Sequence, residues 1–549
     1  MSKRAFTVLA VLTFVLLAFV GTVTFFGDNI RKYFGSGTVC LAGDPSPSHS
    51  AAALAASPAS PSSVDRLHRK SMRSFGSDAY DDAPAAPPSR PGRTASNPYT
   101  LTSEDTLSTF AVDVDTASYA QFRRAVKGDR IPSDATVRVE EWVNYFRYRV
   151  PEPTPAEGPF HVALEAAPSP FSPQQHLLKV SLQGRHLTQA QRKPTHLVFL
   201  VDISGSMAGD DRLGLAKKSM KLAVAGLNPT DTVALTTYAG DVRTVLEPTP
   251  VSKRKDIDAA IDALTTGGGT NMGNGLELAY QHAVRKAGSK NVSRVVVLTD
   301  GDTNLGRDQT ADAMLASIGK YVKEGVTLST IGFGMGNYRD DLMERLANRG
   351  NGNCYYIDSE KEARRVFQEQ IGGTMEVIAQ DVKIQVEFDK AAVKGYRLLG
   401  YENRAIADKD FRKDSVDAGE VGSGHTVTAL YELDLTGEGS RVATVRVRAK
   451  KPGGSEAAEQ LFPLERSQVR DSLSTASADL RFAIAVAGTA DLLRGTTPND
   501  DRSFARLHAL AADAVDGQED REEFLMLLGK LRELLAPRGA IQSAQRQPY

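Results

Sequence analysis

From His196 to Gln370 short apolar runs alternate with amphipathic stripes. Leu197 to Val201, Val233 to Tyr238, Val242 to Leu246, Val295 to Leu298, Val326 to Ile331 and Tyr355 to Ile357 read as strands. Between them the spacing predicts helices near Leu213 to Ala225, Ile257 to Leu264 and Leu276 to Lys286. Strands separated by helical patterns predict an α/β fold, a doubly wound and mainly parallel sheet covered on both faces, with sites gathering at the carboxyl ends of its strands. Upstream, Phe110 to Val114 predicts a strand, and Tyr119 to Val126 a helix that Asp115 or Thr116 caps. Val139, Trp142, Val143 and Phe146 form the apolar stripe of a second helix, which places Trp142 in a core. Phe160 to Leu164 and Leu177 to Leu182 predict a strand pair, so this stretch is a small α/β lead-in.

Downstream the rhythm changes. Val382 to Phe388, Val427 to Leu433 and Val442 to Val447 alternate without intervening helical patterns and predict an antiparallel β unit. Leu473 to Leu535 is helical again, with Leu480, Ala483, Ile484, Ala487 and Phe524, Leu527, Leu528, Leu531 as packing stripes. The C-terminal domain is therefore β-then-helical.

At the other end, Lys3 and Arg4 precede an uncharged apolar run from Ala5 to Phe26, close to the ~20 residues that cross a hydrocarbon core as a helix. It reads as a retained anchor rather than a cleaved signal, because the exit, Phe25-Phe26-Gly27-Asp28, lacks a small-x-small cleavage pattern. The short leading tail stays inside on this reading, which makes the bulk of the chain periplasmic or otherwise extracytoplasmic. Nine of the 26 prolines fall between residues 42 and 98 among Ala and Ser, a composition that buries too little apolar surface to order itself. The expected organisation is thus an anchor over 1–41, a linker over 42–98, a lead-in over 99–190, a central domain over 191–372 and a C-terminal domain over 373–549.

Composition narrows the chemistry. Lys and Arg (66) balance Asp and Glu (67), so the totals give no pull toward nucleic acid. Two cysteines, Cys40 and Cys354, exclude a disulfide framework and a four-cysteine metal site. Nine histidines include no His-Glu-x-x-His, and no Gly-x-Ser-x-Gly or Gly-Lys-Ser/Thr pattern occurs. What remains is a set of hard oxygen donors. Asp202, Ser204 and Ser206 follow the first central strand, Asp300 follows the strand Val295 to Leu298, and Thr270 stands on the glycine-rich loop Gly267 to Asn271. A parallel sheet brings these ends to one side, and two carboxylates with three hydroxyls suit Mg²⁺ or Mn²⁺. Such a set leaves the ion incompletely neutralised, able to attract an external anion such as a partner's Asp or Glu.

These residues resemble the metal-ion-dependent adhesion site of von Willebrand factor type A domains, in which Asp-x-Ser-x-Ser, a Thr and an Asp come from three loops. The resemblance covers about residues 194 to 370. Val112 to Tyr119 and Arg138 to Tyr145 are also similar to the lead-in of bacterial membrane-attached or secreted members with a C-terminal domain of unknown function. The resemblance implies a Rossmann-like domain that binds a protein ligand through Mg²⁺ without catalysis, with Asp202, Ser204, Ser206, Thr270 and Asp300 holding the metal. Two other readings stand beside it. Some type A domains are assembly factors working beside a ring ATPase in the cytoplasm. Asp113 and Asp115, after a strand, resemble the aspartate pair of haloacid-dehalogenase-type Mg²⁺-dependent phosphatases. Ala117 departs from that family's pattern, and too little chain follows before Pro151 for a doubly wound sheet.

Overall fold

The computed structural model describes residues 96–536 except 289, 302–310, 335–339, 372–375 and 417. The apolar run Ala5 to Phe26, the proline-rich segment to residue 95 and Cys40 lie outside the described residues. Among the described residues no helix is long and apolar enough to cross a membrane.

The lead-in contributes strands β1 (Thr100–Leu101), β2 (Leu107–Ala111), β3 (Phe160–Pro168) and β4 (Gln175–Gly184). The central segment supplies β5 (Thr195–Asp202), β6 (Thr232–Tyr238), β7 (Val242–Pro250), β8 (Val292–Thr299), β9 (Val326–Phe333) and β10 (Cys354–Ile357). The C-terminal segment supplies β11 (Val377–Phe388), β12 (Val393–Leu399), β13 (Gly419–Gly422), β14 (Thr426–Leu435), β15 (Arg441–Lys450) and β16 (Ala457–Glu465).

The central sheet has the order β10-β9-β8-β5-β6-β7, parallel except for the antiparallel edge strand β7. The chain winds from β5 toward one edge and, from β8 onward, toward the other, so the order reverses beside β5. Both faces are covered, which explains the continuous apolar runs. In β5, Leu197, Phe199 and Val201 face a core shared with the helices Leu215–Ala225 and Arg254–Asp262. Val198 and Leu200, on the alternate face, pack with the helices Met272–Val284 and Asp340–Arg349. The chain is an α/β protein with a doubly wound, mainly parallel central sheet.

The lead-in and C-terminal strands interleave. One antiparallel sheet has the order β1-β12-β14-β4-β3, and a second the order β13-β11-β15-β16, with β2 paired to β11 on the other side. The lead-in strand pair predicted from the sequence is present, but β4 pairs along its whole length with β14. The reason is solvent exposure. The face of β4 carrying Leu178, Val180 and Leu182 is covered by the second sheet, while Leu177 packs beneath the helices. Those helices, Ala478–Arg494, Asp501–Ala512 and Glu519–Leu535, close over the aromatic cluster of Tyr119, Phe122, Trp142, Tyr145 and Phe146. Trp142 is fully buried and its Nε1 donates to Ser118 Oγ at 3.0 Å, consistent with a core role.

The cap expected on the first lead-in helix takes another form. The helix spans Ala117–Lys127 and Thr116 occupies its N-cap position without a side-chain cap bond. Asp115 is drawn away instead, because its Oδ1 accepts the Cys354 backbone N–H at 2.8 Å and its Oδ2 faces Arg404.

Candidate metal centre

β5 ends in Asp202, which has no solvent exposure. Its carboxylate is held at both oxygens. Oδ1 accepts the Ser204 backbone N–H at 2.9 Å, and Oδ2 accepts the Thr299 hydroxyl at 2.9 Å. Thr299 closes β8, and its Oγ1 in turn accepts the Gly301 N–H at 3.0 Å. The two strand ends flanking the point where the strand order reverses are thereby joined, which is where ligands bind open α/β sheets.

The Ser204 loop is tied to the neighbouring segments through its backbone. Ile203 N–H donates to Tyr238 O (3.0 Å), Gly267 N–H to Ile203 O (2.8 Å) and Gly205 N–H to Gly268 O (3.3 Å). Gly268 has φ +86°, and a Cβ there would lie 3.2 Å from Gly240 N, so glycine permits this approach. Ser204 Oγ and Ser206 Oγ stand 3.0 Å apart, two hydroxyls on one edge of the loop. Thr270 is half-buried two residues beyond Gly268, directly before Asn271 at the N-cap of the helix Met272–Val284. Asp300 follows Thr299 and is buried. Asp202, Ser204 and Ser206 are thus linked by direct contacts, and Asp300 acts on Asp202 through its charge. Thr270 is carried toward the loop by the backbone bonds of Gly267 and Gly268. Asp241 is an exposed turn residue whose carbonyl accepts the Ala239 N–H.

The electrostatics fit a cation. Burial pushes the Asp202 carboxyl above the usual carboxylate range; hydrogen bonds from Ser204 and Thr299 oppose that, and Asp300 adds repulsion. Among the described residues no Lys or Arg forms an ion pair with Asp202, and Arg212, later in the same loop, donates to the Ser206 carbonyl. The Tyr238 hydroxyl is buried close to Asp202, and burial followed by the Asp202 charge raises its pKa. A buried carboxylate lacking a side-chain cation, flanked by hydroxyl oxygens, matches the donor chemistry of a hard divalent ion. Among the described residues no group of three or more His, Cys, Asp or Glu is arranged to hold a metal ion.

Asp113 and Asp115 differ in just this respect. Both are buried, and Arg404 lies across them, with Nε 3.0 Å from Asp113 Oδ2 and Nη2 3.3 Å from Asp115 Oδ2. Asp113 Oδ1 accepts the Asp115 N–H. Arg404 meets one of the two charges, while burial and the Asp113 charge raise the Asp115 carboxyl, and the arrangement is that of a structural ion pair. Arg404 and Thr299 are the residues that sequence reasoning missed. Thr299 could have been found as the hydroxyl ending the strand before Asp300, whereas Arg404 carries no local signal.

Residues 196–370 match the von Willebrand factor type A domain family, 92–179 a family described as von Willebrand factor, and 373–534 the family "Uncharacterized protein YfbK, C-terminal". YfbK of Escherichia coli (strain K12) is 37% identical over 462 residues, covering 79% of this chain and 79% of that protein. The chain belongs to the YfbK family of von Willebrand factor type A domain proteins. A more distant relative, sll0103 of Synechocystis, is 29% identical over 36% of this chain and 45% of its own length. Among solved structures, a von Willebrand factor type A protein from Catenulispora acidiphila is 18% identical, with 67% of this chain and 89% of that one covered and a TM-score of 0.41. Within this YfbK-family chain the type A domain is the segment holding Asp202, Ser204, Ser206, Thr270 and Asp300.

Proposed function

We propose that the type A domain binds a protein ligand through Mg²⁺, or Mn²⁺, held by Asp202, Ser204, Ser206, Thr270 and Asp300. The observation that carries this reading is the buried Asp202 carboxylate, fixed by two hydrogen bonds and given no side-chain cation. When bound, the metal supplies positive charge with a coordination place open to an Asp or Glu of the partner. The chain's own residues orient the donors: Thr299 and the Ser204 N–H fix Asp202, and the 3.0 Å pairing sets the two serine hydroxyls side by side. The reading assigns this set to binding rather than turnover. With Ala5 to Phe26 as an anchor, the domain would be displayed outside the cytoplasm as an adhesion or scaffolding module.

Thermal unfolding with and without Mg²⁺ tests the site, because a ligand at about 100 times its Kd stabilises by about 2.7 kcal/mol. The parent should gain stability and Asp202→Ala should not. Equal Mg²⁺ shifts in the two proteins would remove Asp202 from the site. Capture of a membrane partner should be abolished by chelator and by Thr270→Ala. A reporter fused to the C-terminus reads orientation, and a cytoplasmic signal would favour an assembly role beside a ring ATPase over adhesion.

A further inference from the structure

A second feature lies outside the candidate metal centre, on the helix-facing side of β4. Lys179 belongs to that strand and is only 5% exposed, yet it makes no hydrogen bond and no ion pair among the described residues. Its Nζ sits 5.4 Å from the centroid of the Tyr148 ring. A buried ammonium is normally paired, since leaving it without a counter-charge is costly.

The acidic groups nearby are committed elsewhere. Glu165, directly opposite Lys179 in the strand register, accepts the Ser477 N–H at 2.8 Å and the Ser477 hydroxyl, and lies 3.5 Å from Arg470 Nε. Asp479 accepts the Arg149 N–H at 2.6 Å and pairs with Arg521. Asp516 pairs with Arg149 Nη2 at 2.6 Å. Three acids are thereby matched by three arginines, and Lys179 is the surplus charge. Burial lowers its pKa, opposed by the charges of Asp479 and Glu165 and reinforced by that of Arg521.

Lys179 lines a cavity of about 580 Å³ together with Arg149, Arg470 and the acids Glu165, Asp479 and Asp516, while Arg521, the partner of Asp479, stands behind the wall and supplies the extra positive charge. That volume suits a small organic molecule. We infer that this cavity is a binding site for a small monocarboxylate, whose carboxylate is received by the Lys179 ammonium. A single negative charge completes the local balance, whereas a phosphate dianion would leave one in excess. Ala163, Leu164 and Ala478 give the remainder of the ligand apolar wall to rest on.

The test uses the full chain, with acetate, benzoate and hexanoate as probes and benzamide and inorganic phosphate beside them. Acylation of individual lysines by an amine-reactive ester is followed by peptide mass spectrometry. A monocarboxylate titrated to about ten times its half-protecting concentration should slow Lys179 acylation about tenfold. The exposed Lys218 and Lys394 should be unaffected. Benzoate line broadening in NMR should be present with the parent and with Lys179→Arg, and lost with Lys179→Met. Lys179→Met removes an unpaired charge and should fold, which circular dichroism checks. Failure of every carboxylate to protect Lys179 up to its solubility limit overturns the inference. So does equal protection by benzamide, stronger protection by phosphate, or undiminished broadening with Lys179→Met.

Discussion

Arg404→Met would remove the only cation paired, among the described residues, with the buried Asp113 and Asp115, whose side chains are 4% and 2% exposed. Breaking a buried ion pair by deleting one partner costs about 3–5 kcal/mol, because the remaining charge is left without compensation. Here two carboxylates remain, and one must take up a proton. Asp115 is the candidate, since burial and then the Asp113 charge already raise its pKa, with Arg404 opposing them. The folded variant would then bind one proton more than the unfolded chain above about pH 4, so its stability falls as pH rises, by about 1.4 kcal/mol per pH unit until the raised pKa is passed. Urea unfolding of parent and variant at about pH 5 and about pH 8 measures this, with a larger deficit expected at the higher pH. Adding Asp115→Asn to the variant should recover much of the loss at about pH 8. A deficit below about 1 kcal/mol at both pH values would refute the ion-pair reasoning.

Glu140 is buried, and desolvation, with repulsion from Glu402 and Asp113, lifts its pKa to about 7. Its proton is therefore held more tightly in the folded chain, and stability should fall by about 3 kcal/mol as pH rises from about 4.5 through about 7; Glu140→Gln should flatten that part of the pH–stability curve. Thr299→Val removes the donor to Asp202 and the acceptor of the Gly301 N–H, and should cost about 1–3 kcal/mol in urea unfolding while reducing the Mg²⁺-induced thermal shift. Gly275→Ala places a Cβ 2.9 Å from Tyr238 Cβ and 3.2 Å from Leu200 Cδ1. It should destabilise by about 1–3 kcal/mol although alanine favours helix, a sign that thermal unfolding reads directly.

The central domain was legible because its signals are local. Each buried strand announces itself as an apolar run, and the motif residues follow those runs immediately, so β5 and Asp202 could be placed from the chain alone. The partners of Asp202 were less visible. Ser204 is near in sequence, but the Thr299 contact depends on β8 lying beside β5, which only the sheet order reveals. The role of Asp113 and Asp115 was hidden for the same reason, since Arg404 stands far away in the chain. Lys179 occupies a position in β4 whose neighbours alternate in the ordinary way, and its missing counter-charge appears only when Glu165 is found turned toward Ser477. The pairing of β4 with β14 was equally silent, because alternation fixes which face a strand buries and not which strand lies next to it.

The interleaving of β2 with β11 has a temporal side. Gln385 donates to Thr109 across 276 residues of chain. At 5–20 residues per second, a ribosome needs roughly 15–55 seconds to deliver the second partner after the first has emerged. Throughout that interval the early strands carry unpaired edges and bare apolar faces, and only toward its end does the type A domain gain the last strand of its own sheet. A nascent chain whose first 372 residues have emerged should therefore present a complete type A sheet flanked by a sticky, half-built host, the stage at which chaperone protection matters most.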